Sequence, residues 1–389
     1  MKILYLTLES YKSQPILKSQ VITLLSHLSN KYSVKDQKIK FFLTTRDQDI
    51  IPEINNDKLV HIPLKNDSYF INQFELLKKV SKIAAQVDVI HVRSYLPMLV
   101  ALLLKLIYKK KVIFDMRGVF PEEMALRKKS RYIFFLFKKL ESLYCRYADK
   151  LVVVSQNFRK HIEISYSKQS DKVIVIPTFA IGALNSQCSN SAKVMNIKEE
   201  VFNEINGKIF VYSGAFEKWQ CVEETFDLFE KLERNIEEAR FVVFSQHWEQ
   251  FEDYAKGRNI DISKYYFTYV ENKYLNAYIK QCDVGILLRK DNIINQVAAP
   301  IKFTDYLSGG LLVMVSDNIG DTSVAVKKYD LGYVLEKLDN VYFDTIVAEV
   351  SLTLQQKLIN REQKANMALD ELSLKNAADR YYSLYLQLA

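Results

Sequence analysis

Short apolar runs alternate with longer stripes of helical period along almost the whole chain. Lys2–Leu8 predicts a strand, Glu9–Gln14 a loop, and about Pro15 to Leu28 a helix. Its register is Ile16, Gln20, Leu24 and Leu28, with Val21 and Leu25 beside it. Lys38–Leu43 and Lys58–Ile62 predict two more strands. Ser68–Ala85 predicts a helix with Phe70, Phe74, Leu77, Val80 and Ile83 on one side. Val87–His91, Lys111–Asp115, Lys150–Ser155 and Val173–Pro177 continue the strands, with an apolar helix over Tyr95–Tyr108 and the end of a long helix at Glu141–Asp149. The second half repeats the alternation. Strands are expected at Lys208–Ser213, Ala239–Ser245, Tyr265–Val270, Val284–Leu288 and Leu311–Val315, with a last strand ending at Val334. Phe226, Phe229 and Leu232 give the inward face of a helix over Val222–Leu232, and Asp344–Ala389 reads as helical throughout.

Strand then helix, repeated, implies parallel strands joined by crossover helices. A chain of 389 residues is long for one core and natural for two domains. The expected division is residues 1–180 and 194–374, with a weakly periodic linker over 181–193. In parallel α/β sheets the ligand sits beyond the carboxyl ends of the strands. That rule selects Glu9 and Ser10, then His91 and Arg93, then Asp115, Arg117 and Gly118.

The segment Ala299–Met314 organises the second half. Pro300 suits the first turn of a helix, where its missing N–H is harmless. Lys302 and Asp305 lie three apart and share a face of that turn. Gly309 and Gly310 end the helix before a short buried strand. The free N–H groups of such a first turn attract phosphate oxygens, and a carboxylate there can accept two sugar hydroxyls. The plainer alternative is a capped surface helix with Asp305 placed for the dipole.

Composition narrows the picture. No apolar run reaches the roughly 18 residues of a membrane span, and the N-terminal stretch carries no signal-peptide pattern. Cys145, Cys188, Cys221 and Cys282 lie far apart without metal or redox spacing, so a reduced, cytoplasmic protein is expected. The net charge of +8 is concentrated: residues 101–160 hold 15 Lys or Arg against 5 Asp or Glu. Within them, Arg127–Lys139 interleaves basic residues with aromatics, which suits a helix lying on an anionic inner-membrane surface. A core helix with a solvated basic face is the alternative.

Several of these segments together resemble the retaining GT-B glycosyltransferases of family four, in particular the capsule and O-antigen type. Members of that type often read Pro-x-Lys-x-x-Glu-Tyr-Leu-Ala-x-Gly; here Pro300, Lys302, Tyr306, Leu307 and Gly310 match, with Asp305 for Glu. Tyr212-Ser-Gly with Lys218-Trp-Gln is similar to the family's donor-phosphate loop, although Ala215 stands where many relatives carry arginine. Asp115-Met-Arg-Gly with Pro121-Glu-Glu, Val87-Asp-Val-Ile-His91 and Ala148-Asp-Lys-Leu-Val-Val-Val-Ser155 resemble further family segments. The first loop lacks the usual glycine pair, and Val297 replaces the first of the usual two acids. Asn292, Asn295 and Gln296 are candidate substitutes for its hydroxyl contacts.

The resemblance implies two Rossmann-like domains facing a central cleft, with a last helix (375–389) packing back on the first. It implies a nucleotide diphosphate sugar as donor and a saccharide or lipid-linked saccharide as acceptor. No separate cofactor, metal or nucleic acid is implied. Donor contacts would fall to Gly214, Lys218, His247, Tyr269, Pro300, Ile301, Lys302 and Asp305, and acceptor contacts to Ser10, His91, Arg93 and Glu122. The catalytic roles would fall to Arg117, Asp115, Lys218 and Lys302. Arg117 takes a place where many relatives have histidine; it cannot be a base, but it can hold a phosphate or an acidic acceptor. An Asp115–Arg117 pair that merely braces its loop is the structural alternative. So is a purely structural His247. Rival functions are a sugar-nucleotide epimerase on the same fold, separated by product analysis, and a non-catalytic relative, suggested by Val297, Ala215 and Arg117. A nucleic-acid binder would need charge tracking a groove with stacking aromatics.

Overall fold

The computed structural model describes residues 1–14, 16–32, 39–65, 68–128, 130–166, 171–180, 194–203 and 207–389, with the side chains of 69–71 and 218 left out. The expected linker, 181–193, lies outside the described residues. The chain forms two compact units: Met1–Thr178 with Leu374–Ala389, and Phe179–Ser373.

The first unit is built on a parallel sheet of β1 (Lys2–Leu6), β2 (Lys40–Thr45), β3 (Leu59–Pro63), β4 (Val89–Arg93), β5 (Lys111–Asp115), β6 (Lys150–Val153) and β7 (Val173–Val175). Their order is β3-β2-β1-β4-β5-β6-β7. Helices α1 (Thr23–Lys31), α2 (Tyr69–Ala84), α3 (Met98–Tyr108), α4 (Phe120–Lys128), α5 (Arg131–Tyr147) and α6 (Gln156–Ser165) connect them. The central strands are covered on both faces: Ile3–Leu6 and the whole of β4 are buried. That is why they read as continuous apolar runs rather than alternating ones.

The second unit repeats the design with β8 (Ile209–Ser213), β9 (Arg240–Phe244), β10 (Tyr265–Thr268), β11 (Val284–Leu287), β12 (Leu312–Ser316) and β13 (Gly332–Leu335), in the order β10-β9-β8-β11-β12-β13. Its helices are α7 (Val222–Asn235), α8 (Trp248–Gly257), α9 (Asn272–Ile279), α10 (Ile293–Gln296), α11 (Ile301–Ser308), α12 (Thr322–Tyr329), α13 (Asn340–Leu358) and α14 (Arg361–Glu371). Phe210, Phe226, Phe229 and Phe241 dominate one face of its core. The final helix, α15 (Leu374–Leu388), belongs to the first unit. Cys145, Cys221 and Cys282 are buried free thiols.

Three elements differ from the sequence expectation. The first helix opens as a π-helical segment, Leu17–Ile22, before α1. The helix expected from Tyr95 starts at Met98, because Ser94 takes a positive φ of 70° and Pro97 caps the helix. In α2 the buried stripe is Asn72, Leu76, Val80 and Ala84, while Phe74 is 78% exposed. Strict four-residue spacing sets that inward face, and Phe74 lies off it.

Candidate functional site

In each sheet the strand order reverses beside the first strand of that unit, between β1 and β4 and between β8 and β11. The crevice at such a reversal is where α/β sheets hold ligands.

In the second unit α11 is anchored at that reversal by Tyr306. Its ring lies over Gly285 of β11, where a Cβ would collide with it. Its hydroxyl accepts the Ser213 N–H at 2.9 Å and reaches the Ile286 carbonyl at 3.3 Å. The helix ends in a paired closing turn: Leu311 N–H donates to the Tyr306 carbonyl and Gly310 N–H to that of Leu307, with Gly310 at φ 73°. Pro300 stands at the cap rather than inside the first turn.

One turn before Tyr306, Lys302 Nζ lies 4.3 Å from the centre of the Tyr212 ring and donates to Gln220 Oε1. Tyr212 Oη lies 2.9 Å from the same Gln220 oxygen and 3.0 Å from the Ala215 carbonyl. Gly214 leaves the space that Lys302 fills, and its N–H donates to the Phe244 carbonyl at 3.0 Å. The backbone of Arg289, just past β11, is clamped by Ser316 Oγ, which accepts its N–H at 2.8 Å and reaches its carbonyl at 2.9 Å.

Burial, and then the charge of Arg289, push the Lys302 pKa well below its ordinary value, with Asp305 opposing. Burial lowers that of Arg289 as well. Asp305 is pushed up to about 7 by burial against the pull of Lys302. Burial thus disfavours the charged form of both basic side chains, and an anion entering there would favour it.

The other donor candidates stand at the carboxyl edge of the same sheet. Exposed His247 follows β9, with its backbone N–H on Ser245 Oγ at 2.9 Å. Half-exposed Tyr269 follows β10. Pro300 and Ile301 open α11. Lys218 opens a short 3-10 turn, and its side chain lies outside the described residues. Val297 is 1% exposed. The three amides near it hold their own loop: Asn292 caps α10 through the Asn295 N–H, Asn295 donates to the Lys290 carbonyl, and Gln296 to Asp291.

The first unit carries a buried polar cluster at the carboxyl ends of β1, β4 and β5. Asp115 Oδ2 receives Arg117 Nη2 at 2.7 Å, His91 Nε2 at 3.2 Å and Tyr381 Oη at 3.2 Å. Tyr381 Oη also accepts from Arg117 at 2.7 Å, and Tyr385 Oη lies 2.7 Å from His91 Nδ1. Burial lowers the His91 pKa, so the ring is neutral. The network fits Nε2 donating to Asp115 and Nδ1 accepting from Tyr385. Burial alone would raise Asp115, but Arg117, followed by His91, holds its carboxyl far below the ordinary range. Arg93 Nε meets both oxygens of Glu9 at 3.0 and 3.1 Å. Arg93 Nη1, Arg117 Nε and Asp115 Oδ1 are buried without a hydrogen-bond partner among the described residues.

His91 and Asp115 have no accessible surface, so within this cluster they act by holding Arg117, which keeps an open edge. Ser10 donates to Asp47 Oδ1 at 2.9 Å, and Asp47 also takes the N–H of Tyr11 and the hydroxyl of Thr45. That carboxylate orders a first loop without glycines. Glu122 pairs with Lys138 at 2.8 Å.

The description "Glycosyltransferase Family 4" matches residues 24–180, and "Glycosyl transferases group 1" matches residues 195–364. The protein is a GT-B glycosyltransferase.

Among solved structures, sucrose-phosphate synthase from Thermosynechococcus elongatus is 12% identical over 100% of this chain and 99% of that one, with a TM-score of 0.74. Alr3699/HepE from Anabaena, solved with UDP and glucose, is 12% identical over the full length of both chains, at 0.69. The lipopolysaccharide outer core galactosyltransferase WaaB is 13% identical over 98% and 99%, at 0.67. Such identities carry the fold alone. No curated protein sequence matches the chain.

In this glycosyltransferase the sequence had singled out the donor-side residues of α11 and the Gly214 loop. It had not singled out Gln220, Arg289, Asp47, Tyr381 or Tyr385 as site-building residues. Gln220 alone had a local signal, since it closes the Lys218-Trp-Gln run.

Proposed function

We propose that this glycosyltransferase moves a sugar, with retention at the anomeric carbon, from a nucleotide diphosphate sugar to a hydroxyl of a lipid-linked saccharide. The setting would be surface polysaccharide assembly of the capsule or O-antigen type, on the inner face of the cytoplasmic membrane. The observation that carries the reading is the half-buried Lys302 side chain at the strand-order reversal, held beside Gly214 and against Gln220. A diphosphate there would take Lys302, Lys218 and the free N–H groups of Ile301 and Lys302.

The chemistry asked of the protein is electrostatic. As the glycosidic bond to the donor breaks, negative charge grows on the leaving diphosphate, and fixed positive groups stabilise it. Its oxygen would take the acceptor proton on the same face of the sugar. Asp305 would accept ribose hydroxyls, with Tyr269, His247, Pro300 and Ile301 around the nucleoside. On the first unit, Arg117, held by Asp115, would meet an acidic or phosphorylated group, and Ser10, His91, Arg93 and Glu122 would shape the acceptor side. Lys302 and Lys218 supply the positive charge in this scheme, so transfer should persist in EDTA.

The test is a panel of nucleotide sugars with lipid-linked acceptors, read by nucleoside diphosphate release and by NMR of the product's anomeric configuration. A retained glycoside supports the reading. An inverted product removes retention from it. Release of an epimerised sugar without transfer would replace it with the epimerase reading.

A further inference from the structure

Helix α3 is apolar on both sides. Met98, Ala101 and Leu104 face the core, while Leu99, Leu103, Leu106 and Ile107 form one exposed stripe, Leu106 being 78% exposed. A helix that is hydrophobic all round belongs in a core or against an apolar phase. Its neighbour α5 carries a second stripe: Tyr132, Leu136, Leu143 and Tyr147 fall within one narrow sector of the helix, flanked by Phe135, and Tyr132 is 77% exposed. The two helices pack together, and Leu106, Leu143 and Tyr147 line an open groove of about 550 Å3 between them.

Charge frames this face with one sign. Exposed Lys109, Lys111, Arg127, Lys128, Arg131 and Lys139 belong to the stretch that contains both helices. The acids of residues 101–160 are turned inward or neutralised. Asp115 and Glu141 are fully buried, Glu122 pairs with Lys138, and Asp149 pairs with Lys105 and Lys111. Glu123 is half-buried beside Gly118. A second copy of the chain would bring like charges together, whereas an anionic lipid surface complements both the charge and the apolar stripes.

We propose that the α3/α5 face seats the protein on an anionic bilayer, with the two apolar stripes entering the headgroup boundary and the basic side chains meeting lipid phosphates. The sequence pointed to the basic stretch 101–160 and to Arg127–Lys139 within it; the structure adds the exposed apolar stripe of α3 and the groove. The inference deepens the lipid-linked acceptor reading, by naming the surface that would bring the enzyme to such an acceptor, but its test reads membrane binding without donor or acceptor.

The experiment is flotation of the full chain with phosphatidylcholine vesicles and with vesicles of equal phosphatidylcholine and phosphatidylglycerol. The wild type is compared with Leu106→Asp/Phe135→Asp and Lys109→Glu/Lys110→Glu. The wild type should float with the anionic vesicles only, less so as salt rises. Each double variant should lose about tenfold or more in vesicle affinity, while keeping the wild-type melting temperature and nucleotide response. Absent binding, equal binding to both vesicle types, or unchanged binding by both variants overturns the proposal. So does light scattering that finds a dimer dissociated by Leu106→Asp, which would assign the face to a second copy. Vesicle binding with no nucleotide response would sink the donor site and leave this surface standing.

Discussion

Gly214 and Lys302 share one space: the ammonium sits where any side chain at position 214 would begin. Gly214 also holds φ at 148°, which disfavours any residue with a Cβ. Gly214→Ala should therefore displace Lys302 from Gln220 and lower nucleoside diphosphate affinity by about tenfold or more. Isothermal calorimetry reads this directly, and unchanged affinity would remove Lys302 from the donor site.

Tyr306 joins α11 to both strands at the reversal. Tyr306→Phe leaves the buried Ser213 N–H without its acceptor, which costs about 1–3 kcal/mol. Urea unfolding should show that loss. Nucleotide affinity should fall with it, since α11 loses its fixed position.

How far the chain could be read from its sequence follows from contact distance. Continuous apolar runs gave the parallel strands, and local spacing brought out Pro300, Lys302, Asp305 and Gly214. The packing around Arg117 was hidden, because Tyr381 lies 264 positions away in sequence and Tyr385 lies 294 from His91. No periodicity couples such residues. Asp47 is 37 positions from Ser10, and nothing near the first loop announces it. In α2, the sequence grouped Phe74 with Val80 on one side, but two apolar stripes coexist, and only packing chooses between them.

Asp305 makes the second unit sensitive to pH in a defined direction. Its folded-state pKa of about 7 lies above the ordinary 3.8, so between those values the folded protein keeps a proton that the unfolded chain has lost. Its stabilising contribution is present in full below about pH 4 and is lost as the pH rises through 7. Asp305→Asn should flatten that part of the stability profile, measured by urea unfolding across the window. An unaltered slope would contradict a carboxyl raised to about 7.

Lys302 has the opposite shift, its pKa being depressed. A diphosphate that pairs with it should raise that pKa and draw in a proton. Calorimetry in buffers of different ionisation heat should reveal net proton uptake that grows as the pH is raised, absent in Lys302→Met.

Asp115 neutralises the half-buried guanidinium of Arg117. Asp115→Ala should destabilise by about 3–5 kcal/mol, the usual result of leaving a buried charge uncompensated. Tyr381→Phe, which removes one hydroxyl between them, should cost only about 1 kcal/mol. Because the Asp115 pKa is depressed, its contribution is present above the ordinary carboxylate range and is lost on acidification. Denaturant unfolding at two pH values separates these effects.

The most direct test of the donor site is a thermal-shift panel of UDP, GDP, ADP and CMP on the wild type and Lys302→Ala. A ligand that binds the folded state raises the melting temperature by mass action. One diphosphate should stabilise the wild type and leave the variant unmoved, naming the base. No shift with any of them at millimolar concentration, or an equal shift in the variant, would contradict a diphosphate held by Lys302.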